Sequence, residues 1–511
     1  MKGDFTRNTF DPSRHYSRVL MQQGRVQLDA DWNEQAAIFT HYLRALARDL
    51  IGPHGAPVGS AGFALVTDPN LVLKADGSVL ASSGDANDKA LLKMFSDALA
   101  KGGNFVINPG AYYVDGIRVE NTGPLLYSGQ AGFDAKVFGD AGKSPALAYL
   151  DVWERHITWV EDAHIREIAL GGADTTTRAQ IVWQVRTGAS NSDRPCDLGG
   201  IPEQPGNGRL RARAKQGAPV EPCVIAPSST YRGAENQLYR VEILNGGSVT
   251  ANNTPTFVWS RENGSVVFPI VQLGAPSTVN GASQVEATLA TLGRDDKLGL
   301  HPGDWVSVVD DTAVLQNRAD PLLLVLKIDR DTLTVTLRGV TPVANTGSHK
   351  LLRRWEQKTG VDASGAVPVL ESEDSDNGLA DKNWIALEDG IQIWFAQGAT
   401  YCTGDYWLIP ARVASGDIEW PPESAADGSV RQLNGNPVPA ELPPAGPAHH
   451  YAPLGVFVAG GANAGSSVRS CRCLLQPATQ CATGFATAAA PQPAPAPAPR
   501  NTPTRPRRPN G

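Results

Sequence analysis

From Asn104 to about residue 480, apolar and polar residues alternate with a period of two in run after run, and glycine, proline or asparagine closes most runs. That period sends successive side chains to opposite faces of an extended chain, so the runs are read as strands joined by tight turns. FVINPGAYYVDGIRVE reads as strand-turn-strand, with Asn108-Pro109-Gly110 and Asp115-Gly116 as turn signals. ALAYLDVWERHITWV sets Leu150 and Val152 against Tyr149, Asp151 and Trp153, and AQIVWQVRT repeats the theme. ENQLYRVEILNGG sets Tyr239, Val241 and Ile243 against Arg240 and Glu242. TFVWSRENGSVVFPI reads as a hairpin turning at Glu262-Asn263-Gly264. GDWVSVVDD, LLLVLKIDRDTLTVTLRG, WIALEDGIQIWF and TGDYWLIPARV continue the pattern, with Ile391, Ile393 and Phe395 opposed to Gln392 and Trp394. No repeat of fixed period emerges, which disfavours a propeller or solenoid.

The expected fold is therefore mainly β, with several antiparallel sandwich or barrel domains. At 511 residues the chain exceeds one ordinary core. The expected order is an arm and amphipathic helix over 1–62, a mixed then β domain over 63–190 and a connector over 191–227. A β-sandwich or barrel domain over 228–345 and a C-terminal β domain over 346–480 follow. The 63–190 segment includes a second helix from Asp88 to Lys101. Residues 481–511 contain PQPAPAPAPRNTPTRPRRPNG, which cannot bury a core and reads as a disordered, polyproline-like tail of about 3 Å per residue.

The first fifty residues break the β pattern. Lys2, Asp4 and Arg7 leave no apolar stretch near Met1, so no signal peptide is read, and cytoplasmic assembly is expected, with release as part of a particle open to it. A polar arm leads into a helix along which Trp32, Ala36, Phe39, Leu43, Leu46 and Leu50 recur at 4-3-4-3-4 spacing. Asp29, Asp31 and Asn33 are read as its N-terminal caps, and Gly52-Pro53 as its end. Packing on the chain's own β body is the first expectation for such a stripe, and self-association or insertion into a partner is the other. Large side chains on an arm with little core of its own need a covering surface, so Phe5, Phe10, Tyr16, Trp32, Phe39, Leu43 and Leu46 are the candidate docking and oligomerisation residues.

Net charge is −7 and no basic stripe crosses the folded part, which argues against nucleic acid as the main partner. No apolar run approaches the roughly eighteen residues of a membrane span. Six cysteines in so long a chain do not make a disulfide framework, and buried thiols are the expectation. Cys196 and Cys223 flank a loop-like stretch; Cys471, Cys473 and Cys481 cluster without a nearby fourth ligand, although His449 and His450 stand within possible reach for zinc.

Other constellations weaken on inspection. Asp29, Asp31 and Asn33 open like a calcium loop, but Glu34 stands at the glycine position and Thr40 at the closing glutamate. The loop Glu373 to Gly378, with Asp374, Asp376 and Asn377, is a better cation candidate, set against a merely hydrated acidic loop. Gly139 to Ser144 resembles a phosphate loop, but Val137 replaces the first glycine and a strand follows. His156 and His164 share no helix face. Asp295-Asp296 and Asp310-Asp311, as neighbours on strands, point apart and form no glycosidase dyad. Eleven tryptophans admit a glycan-stacking platform, with core packing as the plainer role. No catalytic residue, metal or cofactor is assigned.

The opening MKGDFTRNTFDPSRHYSRVLMQQGRVQLDADWNEQ resembles that of an uncharacterised bacterial family, a domain of unknown function. YLDVWERHITWVED, IREIALGGADTTTRAQIVWQVR, ENQLYRVEI, FVWSRENGSVV, GDWVSVVDD, LEDGIQIWF and GDYWLIPAR carry the resemblance to about residue 480. It implies a component of phage-tail-like or contractile injection particles, and INPGAYYVDGIRVE is similar to an element of tail baseplate and fibre-attachment proteins. Some relatives continue into a right-handed β-helix; this chain has a Pro/Arg tail instead. The expected function is a non-enzymatic baseplate, fibre-adaptor or accessory protein, whose partners are other tail-particle proteins and further copies of itself. The alternatives are a glycan-binding surface protein and a polysaccharide-degrading enzyme.

Overall fold

The computed structural model describes residues 1–142, 146–190, 194–199, 201, 205–215, 231–250, 253–340, 347–425, 427–433, 435–457 and 467–476. The Pro/Arg tail, Cys223, Cys481 and most of the expected connector lie outside the described residues.

The chain is mainly β, and its sheets join distant segments. In one, strands Ala146–Ile157 and Arg178–Ala189 pair along their full length, with Leu150 opposite Val185. His449–Phe457 adds to the other edge of Ala146–Ile157, aligning Ala452 with Leu150. This sheet shares a core with His54–Pro57, Gly110–Val114 and Ile117–Asn121, filled by Phe63, Phe105, Tyr112, Tyr127 and Phe457. Leu150 and Val152 face that core, as their alternation requires.

A second pair of sheets encloses Tyr239, Val241, Ile243, Phe257, Ile393, Phe395 and Trp407. One contains Gln237–Asn245 between Thr256–Ser260 and Tyr406–Arg412; the other pairs Ile391–Ala396 with Leu210–Ala214. The third unit is a closed six-strand barrel. Val267–Leu273, Leu351–Trp355, Trp305–Val309, Leu323–Asp329, Thr334–Arg338 and Ala282–Leu289 follow one another around it, and the last pairs back to the first. Its interior is packed with Val285, Leu289, Val306, Leu323, Val335 and Leu352, as befits a barrel too narrow for a channel.

The Asn263-Gly264 turn differs from the expected hairpin. Both residues take left-handed backbone, φ 49° and 68°, and Ser265 N–H closes the turn on the Glu262 carbonyl. Yet Thr256–Ser260 belongs to the sandwich and Val267–Leu273 to the barrel, so the turn passes the chain between two sheets. The second helix runs Ala86–Leu99, capped by Asp85, and buries Phe95 and Leu99.

Helix α1 spans Asp29–Ile51. Its N-cap is Leu28, without a side-chain cap bond, so the expected carboxylate capping is corrected: the Asp29 carboxylate accepts from Thr6 of the arm. The two-residue turn Asp115-Gly116 joins Gly110–Val114 to Ile117–Asn121 and abuts α1. A Cβ on Gly116, at φ 79°, would lie 2.1 Å from the Arg44 carbonyl oxygen in the helix. Gly77 has a similar φ of 81° with open space around it. Gly77→Ala should therefore cost only the left-handed penalty of about 1–2 kcal/mol. Gly116→Ala should cost at least about 2 kcal/mol more, as the helix is pushed away. Chemical denaturation of the two variants checks the difference.

Candidate functional site

The arm is anchored at its start. Gln237–Asn245 turns Tyr239, Val241 and Ile243 into the sandwich core, which leaves Arg240 and Glu242 on the opposite face. The alternation casts that face as solvent-facing; it is buried, because the arm covers it. Lys2 Nζ pairs with Glu242 at 2.8 Å, Arg240 Nε donates to the same carboxylate, and the Arg240 guanidinium lies 3.6 Å over the Tyr406 ring. The Asn263 side-chain amide donates to the Met1 carbonyl at 3.2 Å and the Gly3 carbonyl at 2.9 Å. Beyond this point Arg412 donates to the Thr6 carbonyl and Arg7 pairs with Glu419.

The arm then runs along α1. Thr9 donates to Glu34, Val19 N–H to Gln35, and Phe10 packs against His41. Arg44 reaches the β body, pairing with Glu154 at 2.6 Å. The helix buries Ala30 and Ile38. The apolar stripe is on the outside: Trp32 is 71% exposed, Phe39 64%, Leu43 67%, Leu46 57% and Leu50 76%. Packing of the stripe on the chain's own body is thereby corrected. The arm and body take the face of α1 that carries Ala30, Ile38 and Arg44, and the apolar stripe remains outside.

The candidate docking residues accordingly divide into two groups. Tyr16, Trp32, Phe39, Leu43 and Leu46 are exposed, whereas Phe5 is half-buried edge-on against His156 and Phe10 is half-buried beside His41. Leu20, Met21, Val26, Leu28, Tyr42 and Leu50 are also exposed and extend the apolar surface. The anchoring set of Lys2, Arg240, Glu242 and Asn263 was not singled out in the sequence, where its one trace is a pair of opposite charges two residues apart on a strand.

The other constellations are committed elsewhere. Asp374 pairs with Arg431 and with the fully buried Arg211, which also binds Glu423 and Glu441, so the acidic loop spends its best carboxylate on arginine. Asp310 and Asp311 are not neighbours along one strand. Asp310 caps the short helix Asp311–Leu315, and Asp311 pairs with Arg155 and His349. Lys143 and Ser144 of the phosphate-loop look-alike lie outside the described residues, and strand Ala146–Ile157 follows them. Of the eleven tryptophans, Trp32 alone is exposed. Cys196 and Cys471 form a disulfide across 275 residues, which corrects the expectation of buried free thiols for both and removes Cys471 as a thiolate ligand. Among the described residues, no three His, Cys, Asp or Glu side chains gather as a metal site, and no helix is long and apolar enough to cross a membrane.

Where arm, sandwich and barrel meet, a cavity of about 430 Å³ is lined by Lys2, His156, Arg240, Glu242, Arg353 and Tyr406, among others. Most of its charges are paired at its wall: Arg44 with Glu154, Arg186 with Asp151, Arg318 with Asp320. Burial, reinforced by nearby cations including Arg353, Lys2 and Arg240, pushes His156 down to about 3. It is a neutral imidazole near pH 7, far from the poise of a general base.

Burial pushes the Glu242 carboxyl up, but Arg240 and Lys2 overcome it and hold the pKa at about 2, below the ordinary 4.5. A depressed carboxylate binds fewer protons folded than unfolded, so its stabilisation is complete above about pH 4.5 and is lost as pH falls toward about 2. Glu242→Gln should cost about 3–5 kcal/mol at neutral pH, because two cations lose their partner. The variant should also lack this part of the acid dependence. Urea denaturation of both proteins from neutral to acid pH checks both points.

Comparison with curated proteins found no match, and comparison with solved structures found none. A family model described as a family of unknown function, DUF6519, matches residues 1–193 and 207–509. It covers both the arm and the three β units, and the chain belongs to this family.

Proposed function

We propose that this chain is a non-enzymatic structural component of a phage-tail-like, contractile injection particle, acting as a baseplate, fibre-adaptor or accessory protein. One observation carries the reading: a helix pinned to a β body keeps an apolar stripe, Trp32 to Leu50, turned outward. Monomeric surfaces rarely leave contiguous apolar patches above roughly 300–600 Å², and larger ones mark interaction sites. The body supports this role mechanically, since a closed barrel and packed sheets give a rigid mount for the helix. The setting rests on resemblance: the opening segment resembles a family whose members look like tail-particle components, and INPGAYYVDGIRVE is similar to an element of tail baseplate and fibre-attachment proteins. A glycan platform has less support, because ten of the eleven tryptophans are not exposed.

The test is cosedimentation. In cells producing tail particles, the full-length chain should pellet with them. Leu43→Glu/Leu46→Glu should move it to the soluble fraction with its fold intact, as judged by circular dichroism. A wild-type chain found only as free protein, or a variant that pellets equally well, refutes the reading.

A further inference from the structure

We infer that the first occupant of the α1 stripe is a second copy of this chain. The inference rests on the reading of α1 as a docking element and names its partner. Trp32, Ala36, Phe39, Leu43, Leu46 and Leu50 alternate steps of four and three, the a/d rhythm of a coiled-coil seam, a pattern that is its own complement. The positions flanking the seam are Asn33, Gln35, Thr40, Tyr42, Ala47 and Asp49. Only Asp49 is charged. Two copies therefore meet almost no like-charge repulsion, and the flanks hold almost no charge for an oppositely charged partner to read.

Area supports the same occupant. Trp32, Phe39, Tyr42, Leu43, Leu46 and Leu50 are about half to three-quarters exposed. Together they offer on the order of 800 Å². A standard interface takes roughly 800 Å² from each partner. Fewer than three heptads would be marginal for isolated helices. Here the cost of ordering α1 is already met by the anchored arm, by the Arg44–Glu154 pair and by the fit over Gly116. A twofold contact places the same patch on both copies and closes the assembly.

Sedimentation equilibrium of the purified full chain, without particle components, tests this. The wild type should be a dimer or larger closed oligomer at micromolar concentration. Leu43→Glu/Leu46→Glu should be monomeric, its association weakened at least about 100-fold. Because both positions are exposed in the single chain, its melting temperature should not fall below that of the dissociated wild type. A wild type that remains monomeric, or a variant that still assembles, overturns the inference. So does a monomeric wild type that floats with anionic phospholipid vesicles, which would make a membrane surface the occupant. A monomer that cosediments with particles would sink this inference alone; an oligomer that ignores particles would sink the proposed function alone.

Discussion

The buried carboxylate of Glu242 is the interaction on which the functional geometry depends. A carboxylate under a packed surface is costly unless cations and hydrogen bonds surround it. Arg240 provides one cation from the same strand face, and Lys2 provides the other from the far end of the sequence. Their mutual attraction fixes the arm, with Asn263 holding the Met1 and Gly3 carbonyls beside it. The arm in turn bonds to α1 at Asp29, Glu34 and Gln35. The ion cluster thus acts with the Arg44–Glu154 pair and the close fit over Gly116 in setting which face of the helix is covered.

That choice of face gives the stripe its meaning. A 4-3-4 apolar pattern is equally suited to a core helix and to an interface helix, because each buries the same kind of surface. In this chain the arm and body engage Ala30, Ile38 and Arg44, so the apolar face is left for another surface. The anchoring contacts combine hydrogen bonds and ion pairs with the burial of Ala30 and Ile38, and the outward surface is the apolar stripe. A helix held by such contacts does not need the stripe for its own fold.

Much of the apparent chemistry of the chain serves architecture. Arg211 gathers Asp374, Glu423 and Glu441, Asp310 caps a helix, and Asp311 links Arg155 to His349. Carboxylates that look free in one dimension are consumed by cations brought from segments far along the chain. Asp405 shows the same logic without a cation: burial pushes its carboxyl up to about 6 while it accepts the Gly206 and Cys402 amides.

Local structure was legible in the order of the residues. Period-two runs with Asp115-Gly116 and Asn263-Gly264 turns gave strands and left-handed corners, and the stripe from Trp32 to Leu50 gave α1, because these patterns depend on nearest-neighbour geometry. That order also showed the core face of Gln237–Asn245 through Tyr239, Val241 and Ile243. The remaining features came from contacts between distant segments. These placed Asn263-Gly264 between two sheets, joined Cys196 to Cys471, and buried the charged face of Arg240 and Glu242 beneath the arm. The physical reason is that alternation reveals two faces but not what covers each. Which face meets solvent is settled by contacts across hundreds of residues, and here those contacts leave the stripe of α1 exposed.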